Sequence, residues 1–592
     1  MTHLTTTSHE RTSPGQSARK QERLFEAPAW QWARAGDTGW WVRSDWNGEL
    51  LTDGGLKLDE WREQGMLRVV KTGPHRTVYR VDLPKGSIFV KHFLVPDLRS
   101  IARQWFRRGK GRNEGCRAVK LAAIGVDTIQ AIALGEQRKH SFLFENYLIT
   151  QAIPQTIPLD EFVESYLPRM DLKRQAKVRQ ALAVAIGELT AHLHDAGFVH
   201  KDFHPGNLLV RFDSSDCPHL SLIDLDALRV TRCLSWKDAR TNLALLNHYF
   251  WLRSTRADRT RFLQTYLKAR HADAESSRWF ATNIETSTRQ WAERLWLRWG
   301  KRCRGSNKYF KRFQAKQAWA IASRDLDREV AKQAVENPMS LLSQPDTVIL
   351  KESRTTTVAE VTLNVDNIPT RVIFKRFKSK KTFEWLLNIL RPTRAWRAWQ
   401  AAQHFVSRGI PTPQNLVIIE RTTPLLPIPL ETYLITTKAE SAQTLSDYII
   451  DTMVGLGPED QRKAIHSITK GLAALLRVMH ERSISDRDLK AANIMLQGDP
   501  VTEQPRLSLI DLVGVQLCHP LPEHRREQNL ARLQLSLESV PGRTRTDSLR
   551  FLRSYLAWGL SPHNDWKSFW RAVERVCDKK RERNRNRGRI LS

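Results

Sequence analysis

Residues 200–226 read HKDFHPGNLLVRFDSSDCPHLSLIDLD. Within them His200, Asp202, Asn207 and Asp224 stand at the spacing that ATP-dependent phosphoryl transfer uses. The reason is local. Asp202 has to reach an acceptor hydroxyl, and Asn207, a short loop further on, turns back toward a metal ion. Two short strands, expected at Leu208–Phe212 and Leu220–Ile223, then deliver Asp224 to the same metal. A lone H-x-D means little, but four polar residues in this strand context define the catalytic loop and metal corner of a kinase-like fold. The competing reading is a loop that is merely rich in turn formers.

The corner occurs twice. DRDLKAANIML (486–496) carries Asp488 and Asn493, and SLID ends at Asp511. The offset from Asp202 to Asp488 equals that from Asn207 to Asn493, and the offset from Asp224 to Asp511 exceeds it by a single position. The chain is therefore a tandem duplication. At 592 residues it is too long for one core, and two kinase-sized domains account for most of it. The expected fold class is α+β, with two tandem bilobal domains, each with a small β-rich N-lobe and a larger, mostly helical C-lobe. The expected boundaries are a disordered polar N-terminus over 1–26, domain 1 over 27–275 and a basic, Trp-rich helical connector over 276–340. Domain 2 follows over 341–576 and a basic tail over 577–592.

Bulk composition narrows the class further. No apolar run approaches the roughly eighteen residues of a membrane span, and the polar N-terminus lacks the apolar core of a secretory signal. Six cysteines include no CxxC pair, so neither a zinc site nor a disulfide framework is indicated, and a reducing cytoplasm is expected. The net charge of +31 calls for an anionic partner: a phospholipid surface, a phosphorylated glycolipid or nucleic acid. No zinc-finger, RRM, KH or helix-turn-helix pattern is present, so specific nucleic-acid binding is not expected.

Upstream of the first corner, RVVKTGPHRTVYRVDLPKGSIFVKHF (68–93) alternates apolar and polar residues across three short strands. Lys71–Tyr79 occupies the place of a phosphate-covering loop, with the single glycine Gly73. Lys91 closes an apolar strand far upstream of Asp202 and suits a point charge on the α/β-phosphates. An exposed strand-end lysine is its bland counterpart. Glu114 opens a helical stretch ending near Gly125 and is assigned as the carboxylate that fixes Lys91, against the alternative of an exposed helix-start glutamate favoured by the helix dipole. SFLFENYLITQAI (141–153) reads as two strand pieces entering an interlobe hinge. Leu182, Ile186, Leu189 and Leu193 form one helical stripe, stopped by Gly197. Farther on, Trp279, Phe280, Ile284, Trp291, Leu295 and Trp299 share one face of a helix followed by seven Lys or Arg. That face suits packing on a neighbour first and an anionic membrane second.

The second copy repeats the plan, with Lys375 in VIFKRF standing before Asp488 much as Lys91 stands before Asp202. Its helix stripe is Ile465, Ile468, Leu472, Leu475 and Met479, and NLARL and RFLRSYL echo NLALL and RFLQTYL. It also departs from the first. Counted from the strand lysine, Ala398 occupies the position that Glu114 holds in the first copy. The phosphate loop of the second copy has no glycine, and Asp486 replaces His200. A lysine without its carboxylate positions phosphates poorly. Asp488, Asn493 and Asp511 remain, the first as a catalytic candidate and the other two as metal ligands. The expectation is a competent first copy and a weak or regulatory second.

These strings resemble the bacterial lipopolysaccharide kinases, which phosphorylate heptose or Kdo sugars. The resemblance is carried in the first copy by HRTVYRV with FVKHF, NEGCRAVKLAAIGVDT with ALGE, SFLFENYLIT, HKDFHPGN and LIDLDALR. In the second it is carried by IFKRF, RAWRAWQAAQHFVSRGIPTP, DRDLKAANIML and LIDLVGV. It implies a protein-kinase-like fold in two stretches. It also implies ATP with Mg²⁺ as cofactors, Lys91 and Glu114 as the pair, Asp202 as catalytic acid–base, and Asn207 and Asp224 as metal ligands. The acceptor it implies is a glycolipid sugar, with the basic protein peripheral at the inner face of the cytoplasmic membrane. The HPGN string also looks like aminoglycoside and choline kinases, so a protein or small-alcohol kinase, or a pseudokinase scaffold, stands as the alternative.

Overall fold

The computed structural model describes residues 29–73, 76–94, 109–139, 142–251, 253–272, 277–365, 368–378, 391–422, 429–556 and 566–586. It divides into two units, Met1–Ala292 and Glu293–Ser592. The expected disordered N-terminus, 1–26, lies outside the described residues.

Unit 1 opens with β1 (Trp30–Ala35) and β2 (Thr38–Arg43). The strands β3 (Leu67–Gly73), β4 (Arg76–Leu83) and β5 (Gly86–Leu94) follow, then helix α1 (Lys110–Ala123), then β6 (Gln130–Lys139) and β7 (Phe142–Gln151). They form one antiparallel sheet ordered β1-β2-β6-β7-β5-β4-β3. Both faces are covered, so strand periodicity sorts side chains between two cores. In β5, Ile88 and Val90 are buried with Trp40, Trp46 and Val81 on one face. Phe93 packs on the other, with Leu134, Leu148 and the helix residues Cys116 and Leu121. Lys91, two positions before Phe93, falls on this α1 side.

The helical lobe holds α2 (Leu172–Asp195), the hairpin β8 (Leu208–Phe212) and β9 (Pro218–Leu222), then α3 (Trp236–Trp251), α4 (Arg256–Ala269) and α5 (Ser277–Arg302). The expected stripe of α2 is core: Leu182, Ile186 and Leu193 are buried, with Leu189 partly so. Gly197, at φ +78°, adopts the left-handed conformation that ends the helix and turns the chain into the catalytic loop.

Unit 2 repeats this order. Its sheet runs β10-β11-β15-β16-β14-β13-β12. The strands are β10 (Phe310–Ala315), β11 (Ala318–Ser323), β12 (Val348–Glu352), β13 (Thr356–Val365), β14 (Ile368–Phe377), β15 (Asn415–Thr422) and β16 (Pro429–Thr437). Its longer helices are α6 (Arg394–Ser407), α7 (Pro458–Glu481), α8 (Glu523–Ser536), α9 (Arg545–Leu556) and α10 (Trp566–Arg585). All five residues of the expected α7 stripe are buried.

Several expectations need correction. Residues 276–340 are not a helical connector throughout: Ser277–Arg302 is α5 and Arg328–Glu336 a short helix, but β10 and β11 between them belong to the second sheet. The tryptophan spacing of 279–299 is helical, but FKRFQA and AWAIAS pair as an edge hairpin, the counterpart of β1 and β2, and the duplication includes it. The apolar face of α5 packs within the helical lobe. Ile284 is buried beside Leu243, Leu263 and Leu267, with Phe280 partly buried against them, and Phe280 meets Trp236 edge-on at 4.2 Å. The first part of α5, as far as Ala292, closes the helical lobe of unit 1, as α10 closes that of unit 2. For the same reason 577–592 is not wholly a tail. Cys577 is buried and the helix runs to Arg585, because Phe569, Val573 and Cys577 repeat at i, i+4, i+8. The segment 141–153 is one strand, β7, instead of two pieces.

Candidate functional site

In the β-rich lobe of unit 1 the Lys91 ammonium forms an ion pair with the Glu114 carboxylate, which is fully buried. Register fixes the lysine, since Lys91 pairs with Val78 on one side and Leu148 on the other. Close packing fixes the helix. The Gly111 amide donates to Asn146 Oδ1 at 2.9 Å, and a Cβ on Gly111 would come within 3.1 Å of that oxygen. The second oxygen of Glu114 is buried without a hydrogen-bond partner. Gly73 ends β3 opposite Arg76; the tip between them, 74–75, lies outside the described residues.

In the helical lobe Asn207 Nδ2 donates to the Asp202 carbonyl at 2.8 Å, closing the loop between them. Asp202 itself is 72% exposed at the side chain, open to a second substrate. His200 ties the two halves of the corner. Its Nδ1 accepts from the Asp202 amide at 3.3 Å, so its Nε2 carries the proton and donates to the Asp224 carbonyl at 3.1 Å. Burial lowers the His200 pKa and keeps this neutral form. Asp224 is left-handed at φ +55°, and Asp511 repeats this at +56°.

The two lobes are joined by residues that sequence reasoning passed over. Arg117, one turn beyond Glu114 on α1, donates to the carbonyls of Leu225 and Asp226 at 3.0 and 2.9 Å, directly after Asp224. Thr128 Oγ1 donates to the Leu222 carbonyl at 2.6 Å, and Thr412 does the same to Leu509 at 2.8 Å, which explains the threonine shared by the GVDT and GIPT strings. Arg76, at the start of β4, reaches Asp224 Oδ1 at 3.5 Å.

A second overlooked set lies beneath the loop. Asn242 Nδ2 donates to the His200 carbonyl at 2.5 Å while its Oδ1 accepts from His194 at 3.0 Å, and His194 Nδ1 accepts from the Tyr266 hydroxyl at 2.8 Å. Unit 2 rebuilds this with Asn529, His480 and Tyr555, at 2.8, 3.1 and 2.6 Å. Burial pushes His194 down to about 4 and His480 down to about 3, so both stay neutral and directional. The signal was present in NLALL/NLARL and RFLQTYL/RFLRSYL: a helix stripe needs their leucines but not their Asn and Tyr.

In unit 2, Lys375, Asp488, Asn493 and Asp511 line one cleft of about 1090 Å³. Asn493 Nδ2 donates to the Asp488 carbonyl at 2.8 Å, as Asn207 does to Asp202. Lys375 has no ion pair with a glutamate among the described residues, because α6 carries Ala398 where α1 carries Glu114. Asp486 keeps one role of His200, accepting the Asp488 amide at 2.9 Å. Its other oxygen is buried without a partner, and burial pushes its pKa up to about 6.

The donor set fits a hard divalent cation. With Nδ2 of Asn207 committed, Oδ1 is the atom left to bind, and Asp224 adds carboxylate oxygen. The Arg76 guanidinium 3.5 Å from Asp224 marks where a cation is favoured.

A mixed-order antiparallel sheet carrying a lysine, set on a helical lobe whose hairpin ends in a left-handed aspartate, defines the protein-kinase-like class, here twice over, with the lysine–glutamate pair in unit 1. The family model described as the lipopolysaccharide kinase (Kdo/WaaP) family matches residues 99–266 and 343–555, and the chain belongs to that family. Among characterised relatives it is similar to the lipopolysaccharide core heptose(I) kinase WaaP of Pseudomonas aeruginosa, at 28% identity over 25% of this chain and 56% of the relative. It is likewise similar to WaaP of Escherichia coli, at 27% identity over 30% of this chain and 66% of that one. The chain thus spans somewhat over half to two thirds of the length of these relatives. A solved structure of WaaP in complex with acyl carrier protein aligns at 23% identity and a TM-score of 0.29, covering 39% of this chain and 92% of that one. No helix among the described residues is long and apolar enough to cross a membrane.

Proposed function

We propose that the chain transfers the γ-phosphoryl group of ATP to a sugar hydroxyl of the lipopolysaccharide core, and that unit 1 performs the transfer. The observation that carries this reading is the buried Lys91–Glu114 pair in the same unit as Asp202, Asn207 and Asp224. Lys91, held by Glu114, clamps the α/β-phosphates. Asp202 accepts the proton of the attacking hydroxyl as the new O–P bond forms and the bond to the ADP oxygen breaks. His200 and Asn207 hold the Asp202 backbone while this happens. Asn207 and Asp224 would hold Mg²⁺, which when bound supplies charge neutralisation on the phosphates.

Unit 2 lacks the glutamate, so its lysine is unclamped and its transfer is weak or absent; its part is regulatory. The net charge of +31 supports peripheral docking on the anionic inner leaflet, since each surface cation contributes on the order of 1 kcal/mol there. The test is incubation of the purified chain with labelled ATP, Mg²⁺ and core glycolipid stripped of phosphate. Label on a core sugar is expected. Label on protein or on small alcohols, with none on glycolipid, would end the proposal.

A further inference from the structure

The unit 2 cleft differs from its counterpart in more than the missing glutamate. The helices α1 and α6 correspond residue for residue, so Arg397 stands where unit 1 has Asn113, next to the Glu114-to-Ala398 change. Arg394, Arg397, Arg487 and Lys375 all line the cleft. Arg394 is pinned there, donating to the carbonyls of Thr355 and Lys378 at 3.3 and 3.2 Å, with its guanidinium 5.5 Å from the Phe377 ring centroid. Arg397 forms no ion pair among the described residues, and its Nε is buried without an acceptor. Its neighbours are cations: Arg487, Arg394 and Arg391 depress its pKa along with burial. The carboxylates facing this group are few and partly engaged. Asp488 meets Lys490 at 3.4 Å, Glu360 meets Lys438 at 2.8 Å, and Asp447 and Asp511 complete the set.

Cations outnumber carboxylates in this lining, and the excess of like charge costs free energy that a bound anion removes. Guanidinium groups present parallel N–H donors that match phosphate oxygens, and a lysine adds a point charge. A cleft of about 1090 Å³ admits a ligand the size of a nucleotide or a sugar phosphate. We propose that the unit 2 cleft is a binding site for a phosphate-bearing ligand, held by Arg397, Arg487 and Lys375 through charge and without need of a bridging metal ion. This rests on the reading that unit 1 is the transferring copy, and gives the second copy a specific occupant class.

Calorimetric titration of the full chain in EDTA tests it, with ATP, inorganic tripolyphosphate and glucose 6-phosphate as separate probes. At least one probe is expected to bind without metal. Binding by ATP and tripolyphosphate alone identifies nucleotide phosphates as the source; binding by glucose 6-phosphate identifies phosphorylated sugar. Arg397→Ala and Arg487→Ala should each weaken that binding about 10-fold or more, as loss of a charge-assisted contact implies. Arg397→Lys, which keeps the charge but not the fork, should fall between wild type and Arg397→Ala. Unfolding midpoints of all three variants check that they fold. No metal-free binding of any probe, or binding unchanged in both alanine variants, overturns the proposal. No turnover occurs in EDTA, whereas the unit 1 reading is tested by transfer in Asp202→Ala, so either can fail alone.

Discussion

The two clefts share a backbone and differ in charge. In both, the loop asparagine donates to the carbonyl of the loop aspartate at 2.8 Å, and the metal-corner aspartate is left-handed within a degree of its twin. In both, an Asn–His–Tyr chain supports the loop from below. Yet one lysine is paired with a buried glutamate, while the other shares its cleft with three arginines. The Asn–His–Tyr chain is common to both loops, while the charges above them differ at Glu114 and Ala398, Asn113 and Arg397, and His200 and Asp486.

The sharpest break of that comparison is to remove each loop aspartate in turn. Asp202→Ala should reduce transfer on the order of 10³-fold, within the usual range for loss of a general base, while Asp488→Ala should change it less than about twofold. Equal losses would mean the asymmetry is wrong. The pair itself comes next. Glu114→Gln leaves Lys91 without a counter-charge and should lower kcat/KM by about 100-fold through misplaced phosphates, with the effect visible in steady-state ATP titrations.

A third substitution probes what the two units share. Asn529 is fully buried and satisfies the Asp486 amide and carbonyl as well as His480. Asn529→Ala strands these groups and should destabilise unit 2 by about 2–3 kcal/mol, read as an earlier denaturant transition; Asn242→Ala should do the same to unit 1. An unchanged midpoint in both would show the network to be incidental.

The polar corner, the duplication and the stripes of α2 and α7 were legible because their spacing is short-range and periodic. Lys91 and Glu114 were legible from local pattern, a lysine after an apolar strand run and a glutamate at the head of a helical stretch, although Lys91 lies inside a strand that runs on to Leu94 and Glu114 inside a helix that begins at Lys110. Arg76 was not, since only the fold of β3 and β4 brings it to Asp224, 148 residues away. The role of Asn242 was hidden for a similar reason: its motif was visible as a repeat, but its partner is a backbone carbonyl, which no sequence pattern marks. The boundaries failed at 276–340 because a strand hairpin follows the helix there, and at 577–592 because basic charge was read as exposure. Long cationic side chains can reach water from a helix whose other face is core.

Arg76 offers a smaller effect that sharpens the contrast, because strand register gives unit 2 Thr356 at that position. Arg76→Ala removes a cation from beside the Asp224 carboxylate proposed to bind metal. Apparent affinity for Mg²⁺ should rise about two- to threefold, the scale of a partly exposed ion pair, in metal titrations of activity. A fall in metal affinity would instead assign Arg76 to the bound phosphates.

The finest distinction is between His200 and Asp486, which stand at the same loop position. Asp486 accepts the Asp488 amide but its second oxygen has no partner, and burial holds its pKa up near 6. A buried acid whose folded pKa lies above its unfolded value, near 3.8, is stabilising only while protonated. Its contribution is most favourable below the unfolded value, declines as pH rises between about 4 and 6, and is a constant penalty above that. His480 in the same unit acts oppositely, losing stability as pH falls below about 6.5 because burial holds its folded pKa near 3. The useful quantity is therefore the difference between Asp486→Asn and wild type, in which the histidine cancels. Asparagine stays neutral and supplies the donor that His200 uses in unit 1. At pH 7.5 the variant should melt higher by about 3–6 °C, the shift that 1–2 kcal/mol gives a domain of this size. The gain should shrink as pH falls through 6 and disappear near 4. A gain independent of pH would show that the carboxyl is already neutral at pH 7.5 or is paired by a group the other copy does not have.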